Sequence, residues 1–68
     1  MTENSLLRLP AVLARTGLTR SVLYRLIALH RFPSAVHPTE RTSAWPAAEV
    51  DNWVNERIRE RILDTQSK

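Results

Sequence analysis

Apolar positions in this chain follow helical spacing in three places and an extended, alternating pattern only briefly between the second and third. The run Ala11-Val12-Leu13-Ala14-Arg15-Thr16 is short and mostly apolar, opened by Pro10 and closed by Gly17. Proline suits a first turn, whose N–H groups have no partner, and glycine suits the residue just past the end. A helix of about two turns is predicted. Leu18-Thr19 follow at once. The Thr19 hydroxyl can cap the next helix, and Leu18 before it can pack on Leu23 as a staple. Two helices joined by so short a turn have the sequence form of a helix-turn-helix.

The second helix is predicted from Arg20 to about His30. At 3.6 residues per turn Val22, Leu23, Leu26, Ile27, Leu29 and His30 share one arc, which faces a core. Arg20, Ser21, Tyr24, Arg25 and Ala28 share the other, with neither an acid nor a Lys among them. A merely solvated face ordinarily mixes Glu with Lys. Here Arg can donate two hydrogen bonds to guanine, Ser and Tyr can reach phosphate or a base edge, and Ala permits close approach to a groove. A plain solvent face is the simpler alternative.

Pro33 marks the end of that helix, because the residue before a proline is pushed out of helical geometry. Phe32 reads as an apolar plug at the corner. Ala35-Val36-His37 and Thr42-Ser43-Ala44-Trp45 read as two extended pieces around Pro38-Thr39-Glu40-Arg41, with proline at the second position of a type I turn. Two strands are marginal in water, so this hairpin must lean on the helices. Pro46 opens a third helix reaching toward Leu63, in which Val50, Trp53, Val54, Ile58 and Ile62 form a core-facing stripe. Glu49 and Asp51 suit the positive end of its dipole. Arg57–Glu60 and Glu56–Arg59 are i, i+3 pairs worth about 0.2–0.5 kcal/mol each. Trp45 and Trp53 read as the bulk of a small core rather than as platforms for stacked bases.

Composition narrows the function classes. The 68 residues make one domain, with frayed ends expected at 1–5 and 64–68. A hydrophobic fraction of 43% and a charged fraction of 25% are ordinary for a globular chain. There is no cysteine, which removes disulfides, thiolate metal sites and cysteine catalysis together. No apolar run approaches the roughly 18 residues of a membrane span, and Met1-Thr2-Glu3-Asn4-Ser5 does not read as a signal peptide. A small cytoplasmic domain is expected.

Charge is distributed unevenly. The net charge is +3, but residues 1–48 hold six Arg against two acids, a balance of +4, while residues 49–68 hold four bases against five acids, a balance of −1. A localised Arg excess suits a polyanion, because the planar guanidinium matches phosphate and base edges. Other chemistry is sparse. His30 and His37 are the only histidines and no carboxylate stands at metal-site spacing, so no metal or other cofactor is expected. His30 reads as a boundary residue on the apolar arc. No nucleophile has an oriented base beside it, and no glycine-rich phosphate loop is present, so the chain is not expected to be an enzyme.

Short helix, tight turn, second helix, hairpin and longer helix make a mainly α fold with a small β-hairpin, a winged helix-turn-helix of reduced size. The run from Leu9-Pro10-Ala11-Val12-Leu13-Ala14-Arg15-Thr16-Gly17-Leu18-Thr19 into Arg20-Ser21-Val22-Leu23-Tyr24-Arg25-Leu26-Ile27 resembles the opening of the AlpA family of phage-type transcriptional regulators. Those regulators are relatives of excisionase and MerR-type DNA-binding domains. Arg31-Phe32-Pro33, Trp45, Glu49-Val50 and Trp53 are similar to the family's second half, so the resemblance covers about residues 7–58.

The resemblance implies a prokaryotic or prophage regulator, or an excisionase-like factor, that binds double-stranded DNA. It implies that Thr19, Arg20, Ser21, Tyr24 and Arg25 meet the major groove, with His37, Thr39, Arg41 and Thr42 on a wing over flanking DNA. The wing departs from the family pattern in carrying Glu40 and no glycine. The alternative from another class is a protein-docking module. Ile58, Ile62 and Leu63 extend beyond what so small a body covers, which would suit a second copy, a cooperative array on DNA, or an integrase-type partner.

Overall fold

The computed structural model describes residues 5–66, with side chains as far as Arg61. Its elements run β1 (Leu6–Leu7), α1 (Leu9–Thr16), α2 (Arg20–Ala28), β2 (Val36–Thr39), β3 (Thr42–Pro46) and α3 (Ala47–Gln66). The architecture is three helices with a small antiparallel β component, compatible with a reduced winged helix-turn-helix.

The turn between α1 and α2 is fixed by local hydrogen bonds. Gly17 takes a left-handed φ of 74° and its N–H donates to the Leu13 carbonyl at 2.8 Å. The Thr16 hydroxyl donates to the Val12 carbonyl at 2.8 Å and accepts from the Leu18 N–H at 3.2 Å. Thr19 is extended, and its side-chain oxygen accepts from the Val22 N–H at 3.3 Å, the expected cap. Leu18 is half-buried against the cluster that contains Leu23.

At its other end α2 is shorter than the sequence predicts. The Arg31 N–H donates to the Leu26 carbonyl at 2.8 Å and the His30 N–H to the Ile27 carbonyl at 3.0 Å. These are the two reversed bonds of a Schellman ending, which places its next residue left-handed. Here that residue is His30, at φ 60°. The helix therefore stops at Ala28, five residues before Pro33. His30 is exposed rather than a boundary residue, and Leu29 is 56% exposed instead of lying in the apolar arc. Hydrophobic spacing did not carry this information; the backbone reversal did.

The sheet has three strands in the order β1-β3-β2, both pairings antiparallel. β1 was not expected: Leu6 and Leu7 pair with Pro46 and Trp45, and two residues are too few for alternation to show. The Ala47 N–H donates to the Ser5 carbonyl at 2.8 Å, which carries the pairing to the first residue of α3. Pro46 ends β3, so α3 begins one residue later than expected.

The hairpin turn also differs. Thr39 pairs with Thr42, so the tip is Glu40-Arg41, and Pro38 lies inside β2 instead of at the second turn position. The register shifts between Val36 and Thr39, an irregularity on an edge strand, where a residue without an N–H is tolerated. Among the described residues only Gly17 and His30 have positive φ, so the turn is neither of the primed types nor type II. That is why it forms without glycine.

Each larger element contributes to one core. Val12 from α1, Leu23 from α2, Phe32 from the link, Trp45 from β3 and Val50 from α3 are buried together. Leu7, Leu9, Leu13, Leu18, Leu26, Ile27, Ala35 and Trp53 are partly buried against them. The predicted α3 stripe holds at Val50, Trp53 and Val54 and then fails, because Ile58 is 51% exposed. At about 1.5 Å per residue, α3 has left the small body by that turn. Ile62 and Leu63 have side chains outside the described residues. Arg15 pairs with Asp51 at 2.8 Å and ties α1 to α3. Arg57–Glu60 forms at 2.6 Å as expected.

Candidate nucleic-acid interface

The outer face of α2 is built by the helical phase read from the sequence. Leu23 is fully buried and Val22, Leu26 and Ile27 are half-buried, which turns Arg20, Ser21, Tyr24, Arg25 and Ala28 outward. Tyr24 keeps 46% of its surface exposed although it is a large ring. Neither Arg20 nor Arg25 pairs with an acid among the described residues. Both guanidinium groups therefore keep their donors. Thr19 stands at the head of this face. Its oxygen is used by the cap, and its hydroxyl proton is left to donate.

The hairpin holds the second group. His37, Thr39 and Arg41 are exposed and Thr42 is half-buried. The Thr39 hydroxyl donates to Thr42 Oγ1 at 2.8 Å and accepts from the Arg41 N–H at 3.4 Å, so Thr39 is committed to the turn. The Thr42 hydroxyl proton stays available. His37 Nδ1 lies 3.5 Å from Ser43 Oγ across the pair of strands. Arg41 sits at the tip beside Glu40 and pairs with no acid among the described residues.

No hydrogen bond or ion pair among the described residues joins the α2 face directly to the hairpin. What joins them is the link Arg31-Phe32-Pro33. Trp53 Nε1 donates to the Arg31 carbonyl at 2.7 Å, and Trp45 Nε1 donates to the Pro33 carbonyl at 3.1 Å. Phe32 meets the Trp53 ring edge-on, with centroids 5.1 Å apart at 62°. The Arg57 guanidinium lies over the same indole, 5.1 Å from its centroid. The sequence reading placed both tryptophans in the core, which holds for Trp45, whereas Trp53 is half-buried against it; the reading missed the carbonyls they hold. The signal was there: two indoles eight residues apart, downstream of a Phe-Pro corner that follows a helix.

Chemically, these surfaces can donate hydrogen bonds and positive charge. Among the described residues there is no group of three or more His, Asp or Glu able to hold a metal. No described helix is long and apolar enough to cross a membrane.

A family model described as prophage CP4-57 regulatory protein (AlpA) matches residues 5–58, most of the chain. An uncharacterized protein, ORF88 of Enterobacteria phage P4, is 38% identical over 58 residues. The matched stretch is 85% of this chain and 66% of that relative, so the chain spans about two thirds of the relative's length. No solved structure gives a significant match.

Proposed function

This chain belongs to the AlpA family of prophage regulatory proteins, and from that membership we propose that it acts by binding double-stranded DNA sequence-specifically. In this reading α2 enters the major groove, presenting Thr19, Arg20, Ser21, Tyr24 and Arg25. The β2–β3 hairpin is a wing whose His37, Thr39, Arg41 and Thr42 lie over the flanking duplex. The protein is a small phage-type transcriptional regulator or excisionase-like factor of the cytoplasm, with no catalytic role.

One observation carries the reading: the exposed face of α2 holds two Arg, a Ser and a Tyr with no acid. An Arg in the groove is bidentate toward guanine O6 and N7, whereas phosphate contacts fix register without reading sequence. Ala28, with a one-carbon side chain on that face, lets the helix approach closely. Thr19 can cap α2 and donate to a phosphate at once, because the two roles use different parts of its hydroxyl.

Titration of labelled duplexes from the host element, against unlabelled random competitor, tests this. Arg20→Ala and Arg25→Ala should each keep the circular dichroism of the parent and weaken specific binding by about 1–3 kcal/mol. Parent-like affinity in both variants would remove α2 from the interface. No duplex binding at low salt would remove DNA.

A second reading draws on Ile58, which is 51% exposed on α3. There the chain docks through α3 on a second copy or an integrase-type partner. A monomeric parent in sedimentation, with cooperative DNA binding kept after truncation behind Arg57, would refute self-association.

A further inference from the structure

Three consecutive residues of the link between α2 and the hairpin are held. The Arg31 carbonyl accepts from Trp53, the Phe32 ring is 5% exposed and packs edge-on against Trp53, and the Pro33 carbonyl accepts from Trp45. Both tryptophans belong to the continuous segment β3–α3, so one segment grips three consecutive residues. The Arg31 peptide is also tied to α2, since its N–H donates to the Leu26 carbonyl at 2.8 Å. That single residue thus couples the end of α2 to α3. Trp45 lies in the central strand that carries β2.

Packing explains one of these bonds and not the other. Trp45 is fully buried, and a buried indole N–H must find an acceptor. Trp53 is only half-buried and its bond lies in an exposed setting, where water would satisfy both the N–H and the Arg31 carbonyl. The ring of Trp53 would pack against Phe32 without that bond. What the bond adds is a tie between the Arg31 carbonyl, just past the end of α2, and α3, which is continuous with the hairpin strand β3.

We propose that Trp53 is a positioning residue for duplex binding, its indole N–H fixing α2 and the β2–β3 hairpin in one relative arrangement. The proposal rests on the DNA-binding reading and states what in the fold lets helix and wing meet the same duplex. A duplex presents groove and flanking phosphates at a set separation. A protein that occupies the matching arrangement only part of the time binds more weakly by that fraction. Holding the link beforehand removes this loss, as preorganisation does generally.

The full chain is short enough for chemical synthesis, which permits a close test. Trp53→Phe keeps a ring against Phe32 and beneath Arg57. Benzothienylalanine at position 53 keeps the bicyclic shape and removes only the donor. If the matching arrangement falls to about one fifth of the population, the apparent Kd for specific duplex rises about fivefold. The wing contribution should fall with it: Arg41→Ala should weaken binding by a smaller factor in either variant than in the parent, a coupling that a double-mutant cycle reads. Residual dipolar couplings of α2 and hairpin amides, measured without DNA, should show one relative orientation in the parent and an averaged one in the variants.

Parent-like affinity, an undiminished effect of Arg41→Ala, or unchanged couplings would each overturn the role. So would loss of cooperative unfolding in the benzothienyl variant, because the bond would then belong to core stability. A parent that binds no duplex would overturn the DNA reading and this role with it; a parent that binds, beside variants that bind equally well, overturns this role alone.

Discussion

Of the six Arg in the basic front of the chain, the structure separates one from the rest, and salt dependence can detect the difference. Arg15 is held at 2.8 Å by Asp51, with about half of each side chain exposed. Arg8, Arg20, Arg25, Arg31 and Arg41 are exposed and pair with no acid among the described residues. If four of these five meet phosphate, log K should fall against log salt with a slope of about −3.6, since each contact contributes roughly −0.9. Between about 50 and about 200 mM salt that slope is a loss of roughly 150-fold. Arg41→Ala removes one contact from the wing, so the slope becomes about −2.7 and the loss about 40-fold. Arg15→Ala should leave the slope unchanged and cost only the exposed ion pair, about 0.2–1 kcal/mol of stability. Fluorescence anisotropy of a labelled duplex over a salt series measures all three slopes. A slope that Arg15→Ala flattens as much as Arg41→Ala does would refute the separation, and a parent slope near zero would refute phosphate contact altogether.

Two stability measurements test the fold behind this interface. Leu23 is fully buried, so Leu23→Ala should cost about 2–5 kcal/mol, comparable with the roughly 3–5 kcal/mol a core of this size supplies; Leu26→Ala, at a half-buried site, should cost less, and equal or reversed melting shifts would place the helix phase wrongly. His30→Gly should raise the urea midpoint, because a left-handed backbone costs an L-residue about 1–2 kcal/mol, partly offset by about 0.5–1 kcal/mol of extra chain entropy for glycine; an unchanged or lowered midpoint would show that the His30 side chain supplies something glycine cannot.

How much of this was legible depended on whether a feature is local. The α1–α2 turn was legible because its parts are adjacent: Gly17 for the left-handed residue, Thr19 for the cap and Leu18 beside it. The outward set on α2 was legible because Leu23, Leu26 and Ile27 alone fix the helical phase. β1 was not, since Leu6 and Leu7 become a strand only when β3 lies beside them. The end of α2 was misread because Leu29 and His30 continue the apolar spacing past a Schellman reversal that glycine usually announces. Pro38 was placed in the turn because proline marks turns, whereas here an edge-strand irregularity accommodates it. Ile58 was expected inside because periodicity carries no information about where the rest of the body ends.

These differences share a cause that bears on function. Among the described residues the core cluster has five buried side chains, too few to orient α2 by bulk alone, and α2 places only Leu23 fully within it. The helix is instead fixed from its two ends. At the start, Thr16, Gly17 and Thr19 close the turn through hydrogen bonds to backbone. At the finish, His30 reverses the chain and Arg31 is bound to Leu26 on one side and Trp53 on the other. None of these devices uses a residue of the outer face between Arg20 and Ala28. That face is therefore free of structural duty, and substitutions there leave how α2 is held intact. In the DNA-binding reading proposed above, changes at Arg20, Ser21, Tyr24 or Arg25 alone would give a new target sequence, whereas changes at Trp45 or Trp53 would alter the frame in which any target is met.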